Sequence, residues 1–230
     1  YFGVLRGPEK TGRSVIYRIT RRASEDMFGI LMQGIESFGP IQAGKYIDGM
    51  QAAFEKFIAR TGRLDALFNN AGSFGPSASI DEVDLGDFDN VLDVNVRGMF
   101  IAAQLAFRQM RNQAPKGGRI INNGSLSAHS PRAESVCYTT SKHAITGLTR
   151  SISLDGRPYD IACGQIDIGN ARTELVDDLN ARALAEDPNA KLMPMMDVQD
   201  AARLVLHMAE LPPEANVQFM TVMATKMPYI

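Results

Sequence analysis

Tyr138 and Lys142 stand four residues apart in the stretch CYTTSKHAITGLTR (137–150), among small hydroxyl-bearing side chains. On a helix that spacing stacks them on one face, close enough for the ammonium to act on the phenol. The same pattern also fits a half-buried tyrosine beside a lysine that snorkels to water. Other polar residues sit where chemistry could use them. Asn69-Asn70-Ala71-Gly72 closes one apolar run, and Ser125 closes another, thirteen positions before Tyr138. Asn95 interrupts a long segment that is otherwise apolar on one side. Taken alone, Ser125 reads first as a turn serine ending a strand. Asn95 reads as a mid-helix asparagine on a solvent face, although its place between Val94 and Val96 on a buried helix speaks against that.

These residues need elements to bring them together. From about residue 47 the chain alternates short apolar runs with longer helical patterns, the signature of a parallel sheet covered by helices. LDALFNNAG (64–72) and RIINNGS (119–125) read as strands, as do 160–169 and 216–223. The segment 87–110 places Phe88, Val91, Leu92, Met99, Ala103, Ala106, Phe107 and Met110 near one side of a long helix. Pro115 and Gly117-Gly118 break it. Residues 138–154 and 201–210 are predicted helices. In such a sheet the strand carboxyl ends gather at one edge, where Asn69-Asn70-Ala71-Gly72, Ser125 and Asn95 can meet Tyr138 and Lys142 in one cleft. The segment 171–197 follows a strand there and reads either as a ligand-covering loop or as a plain surface helix with a tail.

The 230 residues suit one α/β domain with a substantial core. Hydrophobic residues make up 45% and charged residues 22%, ordinary for a soluble globular protein. A net charge of −2 and the lack of a basic stripe point away from nucleic acid and anionic membranes. No stretch approaches the ~20 apolar residues of a membrane span. Cys137 and Cys163 have neither metal-binding nor CxxC spacing, so no metal is expected, and two reduced thiols in the cytoplasm are.

From about residue 50 onward the sequence resembles the short-chain dehydrogenase/reductase family. The resemblance rests on NNAG (69–72), VNVRGMF (94–100), GRIINNGS (118–125) and YTTSK (138–142) followed by Ala144. It implies a Rossmann-type, three-layer, doubly wound and mainly parallel sheet. It implies transfer of a hydride between NADP or NAD and a secondary alcohol or ketone. Tyr138 would be the general acid/base. A phenol ordinarily ionises near pH 10, too high for work near neutrality. A nearby cation favours the phenolate, and Lys142 would supply that charge while also binding the nicotinamide ribose. Ser125 would hold the substrate oxygen, and Asn95 a water that relays protons to the lysine. Asn70, Ala71 and Gly72 would approach the cofactor. The family's Pro-Gly turn is replaced by Ile168-Gly169, and Thr173 stands at the position of the threonine that bonds the carboxamide. A homodimer or homotetramer would form through the two long helices, with Phe100 and Leu148 on the contact.

The front of the chain departs from this pattern. Residues 1–46 form an atypical part of what is otherwise a single domain over 1–230. GPEKTG (7–12) follows no convincing strand and opens no apolar helix, so the first strand and its glycine-rich phosphate turn are absent or rewritten. SVIYRITRRASED (14–26) resembles the second strand, with Arg21 and Arg22 where basic residues meet an adenosine 2′-phosphate; this favours NADP slightly. Surface arginines read the same way. The alternative to an active enzyme is a family-like protein that has lost cofactor binding and serves as an oligomer partner.

Overall fold

The computed structural model describes residues 40–172 and 192–228, together with 184–185 and 187–188. Helix α1 (Pro40–Thr61) leads into strand β1 (Ala66–Asn69). Helix α2 (Leu85–Leu92) passes through a widened π-turn (Asp93–Gly98) directly into α3 (Met99–Asn112). Strand β2 (Gly118–Asn123), a 3₁₀ turn (Leu126–Ala128) and helix α4 (Val136–Gly156) follow. Strand β3 (Ile161–Ile168) ends near the two-residue β4 (Ala171–Arg172), which pairs with β5 (Met196–Asp197). Helix α5 (Val198–Glu210) and strand β6 (Phe219–Val222) complete the described chain.

The main sheet runs β1-β2-β3-β6, every pairing parallel. Alternation along the strands splits its side chains between two faces. Leu67, Ile120 and Cys163 point to a cluster with Phe54 of α1 and Ala102, Ala106 and Met110 of α3, against which Ile152 of α4 packs. Phe68, Ile121 and Ile166 point the other way, onto Val205 and Met208 of α5. The three layers and the mainly parallel sheet agree with the sequence reading. Its strand limits run one to three residues beyond the observed ones, except at the start of β2, which begins one residue earlier than expected. The single helix anticipated over 87–110 is longer and holds the π-turn at its centre. The expected loop 171–197 is tied at its base by the pairing of Ala171 with Met196. The absent or rewritten first strand, and Arg21 and Arg22, fall on residues outside those described.

The two faces differ toward the carboxyl ends of the strands. On the α5 face they stay apolar up to Asn123, the last residue of β2. On the α4 face each turns polar: Leu67 gives way to Asn69, Ile120 to Asn122, and Cys163 to Gln165 and then Asp167. Asn69, Asn122 and Gln165 are register partners, lying side by side across three strands. Asn69 Nδ2 donates to Asn122 Oδ1 at 3.2 Å and to the Met99 carbonyl at 2.8 Å. Asn122 Nδ2 donates to Thr149 Oγ1 of α4 at 2.9 Å, and that hydroxyl donates to Gln165 Oε1 at 3.1 Å. All four side chains are buried, so these bonds are what make their burial tolerable.

Among the described residues, no helix is long and apolar enough to cross a membrane. Both cysteines are free and buried. Burial pushes the Cys163 thiol up to about 12 and raises that of Cys137. A thiol in the unfolded chain ionises near 8.5, so the folded state holds these protons more tightly. Their contribution to stability is complete below about pH 8.5 and is lost as the pH rises toward the folded values. Neither thiol should react with Ellman's reagent at pH 8 within minutes in the native protein, and both should react once it is unfolded in denaturant; prompt native labelling of Cys163 would contradict the packing described.

Candidate active site

The carboxyl ends of β1, β2 and β3 and the start of α4 enclose a cleft of about 570 Å³. Seven of the residues singled out from the sequence line it: Asn70, Gly72, Ser125, Tyr138, Lys142, Ile168 and Gly169. Ala71 is half-buried and is not among the lining residues. Thr173 lies outside the described residues.

Tyr138 and Lys142 occupy the first two turns of α4, and the helical repeat places both toward the strand ends. Lys142 is 2% exposed, an unusual state for a lysine. Its Nζ donates to the Asn123 carbonyl, the last of β2, at 2.9 Å. It also lies 5.5 Å from the centre of the Tyr138 ring. Against that ring stands Phe74, its centroid 4.5 Å away, tilted by 32° and largely exposed at the cleft mouth. Gly72 keeps the opposite wall thin: a Cβ there would come 3.8 Å from Lys142 Nζ and 3.4 Å from Asn95 Oδ1. Backbone alone therefore passes over the ammonium.

Ser125 follows β2 in extended conformation and is buried at the cleft wall. Its Oγ accepts the Ser127 N–H at 3.2 Å, which leaves the hydroxyl proton free for another acceptor. Beside it, Asn123 Nδ2 donates to Asn70 Oδ1 at 2.6 Å. Asn123 Oδ1 is buried with no hydrogen-bond partner among the described residues.

Asn95 is placed differently. It sits in the π-turn, fully buried behind the cleft wall. Its Oδ1 accepts the Ser73 N–H at 2.7 Å, and its Nδ2 donates to the Ser73 carbonyl at 2.8 Å and to Ser141 Oγ at 2.9 Å. Both amide protons are thus engaged, and the side chain clamps the loop after β1 to α4. Ser141, between Tyr138 and Lys142, passes the bond on to the Tyr138 carbonyl at 2.7 Å.

Other wall residues lie in segments that the sequence marks only as a whole, Arg132 within 130–136 and Met193 and Met195 within 171–197. Arg132 Nη2 donates to Asn170 Oδ1 at 2.9 Å, and both line the cleft with Met193 and Met195. Ser73 and Phe74 follow the NNAG stretch immediately, so that motif's continuation was the available hint.

The sequence model of the family described as short chain dehydrogenase matches residues 45–184, more than half of the chain. The uncharacterized oxidoreductase YohF of Escherichia coli K12 is 35% identical over 156 residues, which cover 67% of this chain and 60% of that protein. Glucose 1-dehydrogenase 2 of Bacillus subtilis is 30% identical over 73% of this chain and 65% of its own length. The chain therefore spans less than two-thirds of these relatives. The crystal structure of acetoin dehydrogenase from Enterobacter cloacae superposes with a TM-score of 0.64 at 33% identity, covering 76% of this chain and 68% of that one.

Replacing Asn95 by alanine should release the 73 loop from α4 and leave buried groups on Ser73 and Ser141 unpaired. A stability loss of about 2–3 kcal/mol is expected from urea unfolding, at the rate of about 1–3 kcal/mol per buried group left unsatisfied. A loss under about 0.5 kcal/mol would show that the clamp carries no strain-bearing role.

Proposed function

The chain belongs to the short chain dehydrogenase family, and on that premise we propose that it interconverts a secondary alcohol and a ketone, with Tyr138 moving the proton. The observation that carries this reading is the buried ammonium of Lys142 beside the Tyr138 phenol in a cleft that also holds Ser125. A cation in that position stabilises negative charge developing on the phenol oxygen as it gives up or takes back its proton. Ser125 donates its free O–H to the substrate oxygen and keeps that oxygen beside the phenol. Asn95 acts as a positioning residue through Ser73 and Ser141. A main-chain carbonyl of its π-turn would hold a relay water.

When bound, NADP or NAD supplies or accepts the hydride. The described half of the cleft suits the nicotinamide ribose of such a group. Lys142 has N–H donors beyond the one given to Asn123, Gly72 leaves room over it, and Asn123 Oδ1 offers an unpaired acceptor beside Asn70. Ile168 and Gly169 would form the floor under the nicotinamide. Thr173 would bond the carboxamide, and Arg21 and Arg22 would favour the 2′-phosphate of NADP.

The substrate is a small hydroxyl- or ketone-bearing molecule. The similar acetoin dehydrogenase and glucose 1-dehydrogenase suggest acetoin and glucose as the first two probes. Pairing of two copies through α3 and α4 is proposed from the groove of about 770 Å³ between these helices, bordered by exposed Phe100 and Leu154 and half-buried Leu148.

Titration with NADPH and then NADH, followed by nicotinamide fluorescence, should show saturable binding that is tighter for NADPH. The Tyr138→Phe variant should bind either as the wild type does and unfold at the same temperature. Its turnover of acetoin or glucose should fall by about 10²–10⁴-fold, the range for a lost general acid/base. Wild-type turnover by Tyr138→Phe would sink the mechanism. A folded chain that binds neither nucleotide would favour the non-catalytic partner instead.

A further inference from the structure

One buried charge at the cleft has no part in the proton transfer just described. Asp167, next to last in β3, is fully buried on the α4 face of the sheet. Its Oδ1 accepts the main-chain N–H of Ser125 at 2.9 Å and Gln165 Nε2 at 2.7 Å. Its Oδ2 lies 2.8 Å from Nε2 of His129. The imidazole, 38% exposed, closes the carboxylate off from water on that side. Gly124 completes the fit, since a Cβ there would run into Asp167 Oδ1 and Gln165 Nε2. The carboxylate thus fills the space of a missing side chain immediately before Ser125.

A buried carboxylate is costly unless paired and hydrogen-bonded. A neutral acceptor would suffice to join two strands, and Asn122 shows that the same sheet uses one. Here the charged group meets the amide of the cleft serine, and its second oxygen is held by a histidine four residues further along the same loop. Both ends of the Ser125–His129 turn are therefore fastened to one rigid group on β3. The Ser127 N–H on Oγ then sets the direction of the remaining hydroxyl proton.

We propose that Asp167 and His129 form a carboxylate–imidazole pair that positions Ser125, fixing its backbone so that the hydroxyl faces the substrate oxygen. The role of Ser125 itself rests on the hydride-transfer reading; the pair's hold on its amide does not. Asp167 and His129 are positioning residues and touch neither substrate nor cofactor. Gln165 continues the hold inward, through Thr149 and Thr146 of α4.

The test compares the unaltered chain with Asp167→Asn, Asp167→Leu, His129→Gln and His129→Ala. Backbone amide NMR follows Ser125, and initial rates with acetoin or glucose follow turnover. In Asp167→Asn, which keeps the shape and loses the charge, the Ser125 amide resonance should move upfield and its hydrogen exchange should quicken at least tenfold. Its kcat should drop 10- to 100-fold, with the Kd for NADPH within twofold of wild type. Asp167→Leu should lose more of both. His129→Gln, which can still donate to the carboxylate, should recover most of the kcat that His129→Ala loses. A merely structural pair would lower the melting temperature of every variant and leave kcat per folded molecule unchanged, which overturns the proposal. An unmoved Ser125 amide in Asp167→Asn overturns it as well. If the wild type turns over neither alcohol, the hydride-transfer reading fails, and the Ser125 amide alone decides on the pair.

Discussion

An ammonium held almost entirely out of water constrains everything built around it. Lys142 keeps its charge inside the protein with a carbonyl as its partner among the described residues. That carbonyl belongs to the last residue of β2, so the strand must end where α4 presents its second turn. Gly72 keeps the wall over the ammonium thin: a Cβ there would sit in van der Waals contact with Nζ and Asn95, filling the space next to the charge. The centre of the Tyr138 ring lies 5.5 Å from the ammonium because the helical repeat sets residues four apart on one face. Depriving a cation of its water makes its field strong at short range, and the cleft is the direction in which that field acts.

The sheet supports this arrangement by a division of labour along each strand. Near their starts, the α4-facing residues are apolar and bind the layers together. Toward their ends, the same face carries Asn69, Asn122, Gln165 and Asp167, joined to one another through Thr149. Each amide or hydroxyl there answers a neighbour's need, so no water has to enter to satisfy it. The result is a polar seam between three strands and α4 that is as dry as the core beside it. Hydrogen bonds are directional where apolar contacts are not. A seam of this kind holds strand ends to a fixed angle and height, which a cleft lined by their tips requires.

Much of this was legible in the sequence. The strands around 66–69, 118–123 and 161–168 each carry a short apolar core, and the spacing of Tyr138, Lys142 and Ser125 survives any plausible helix or strand limit. What stayed hidden has physical causes. The π-turn leaves the apolar repeat undisturbed, since Val91, Val94, Gly98, Ala102 and Ala106 fit an ordinary helix well. Asp167 stands among apolar neighbours just before a glycine, where a carboxylate reads as the onset of a turn. Its partner His129 is exposed and carries no periodic signal. Only the register of β2 against β3, which brings Asn123 opposite Ile166, places the two within reach. Asn69 was counted with the cleft motif, yet its amide serves the seam, a role that depends on which face of β1 it takes.

The π-turn between α2 and α3 governs phase. Each residue of a regular helix turns its side chain by about 100° relative to the last, so the widened turn delays α3 against α2. Asn95 can then point at the loop after β1 while Ala102, Ala106 and Met110 still point at the sheet. Removing one residue here would yield a more regular helix, and every contact downstream would swing by more than a quarter of a circle. The segment thus behaves as an offset between two helices of equal pitch and different phase: its irregularity is the quantity that keeps the site and the core in step.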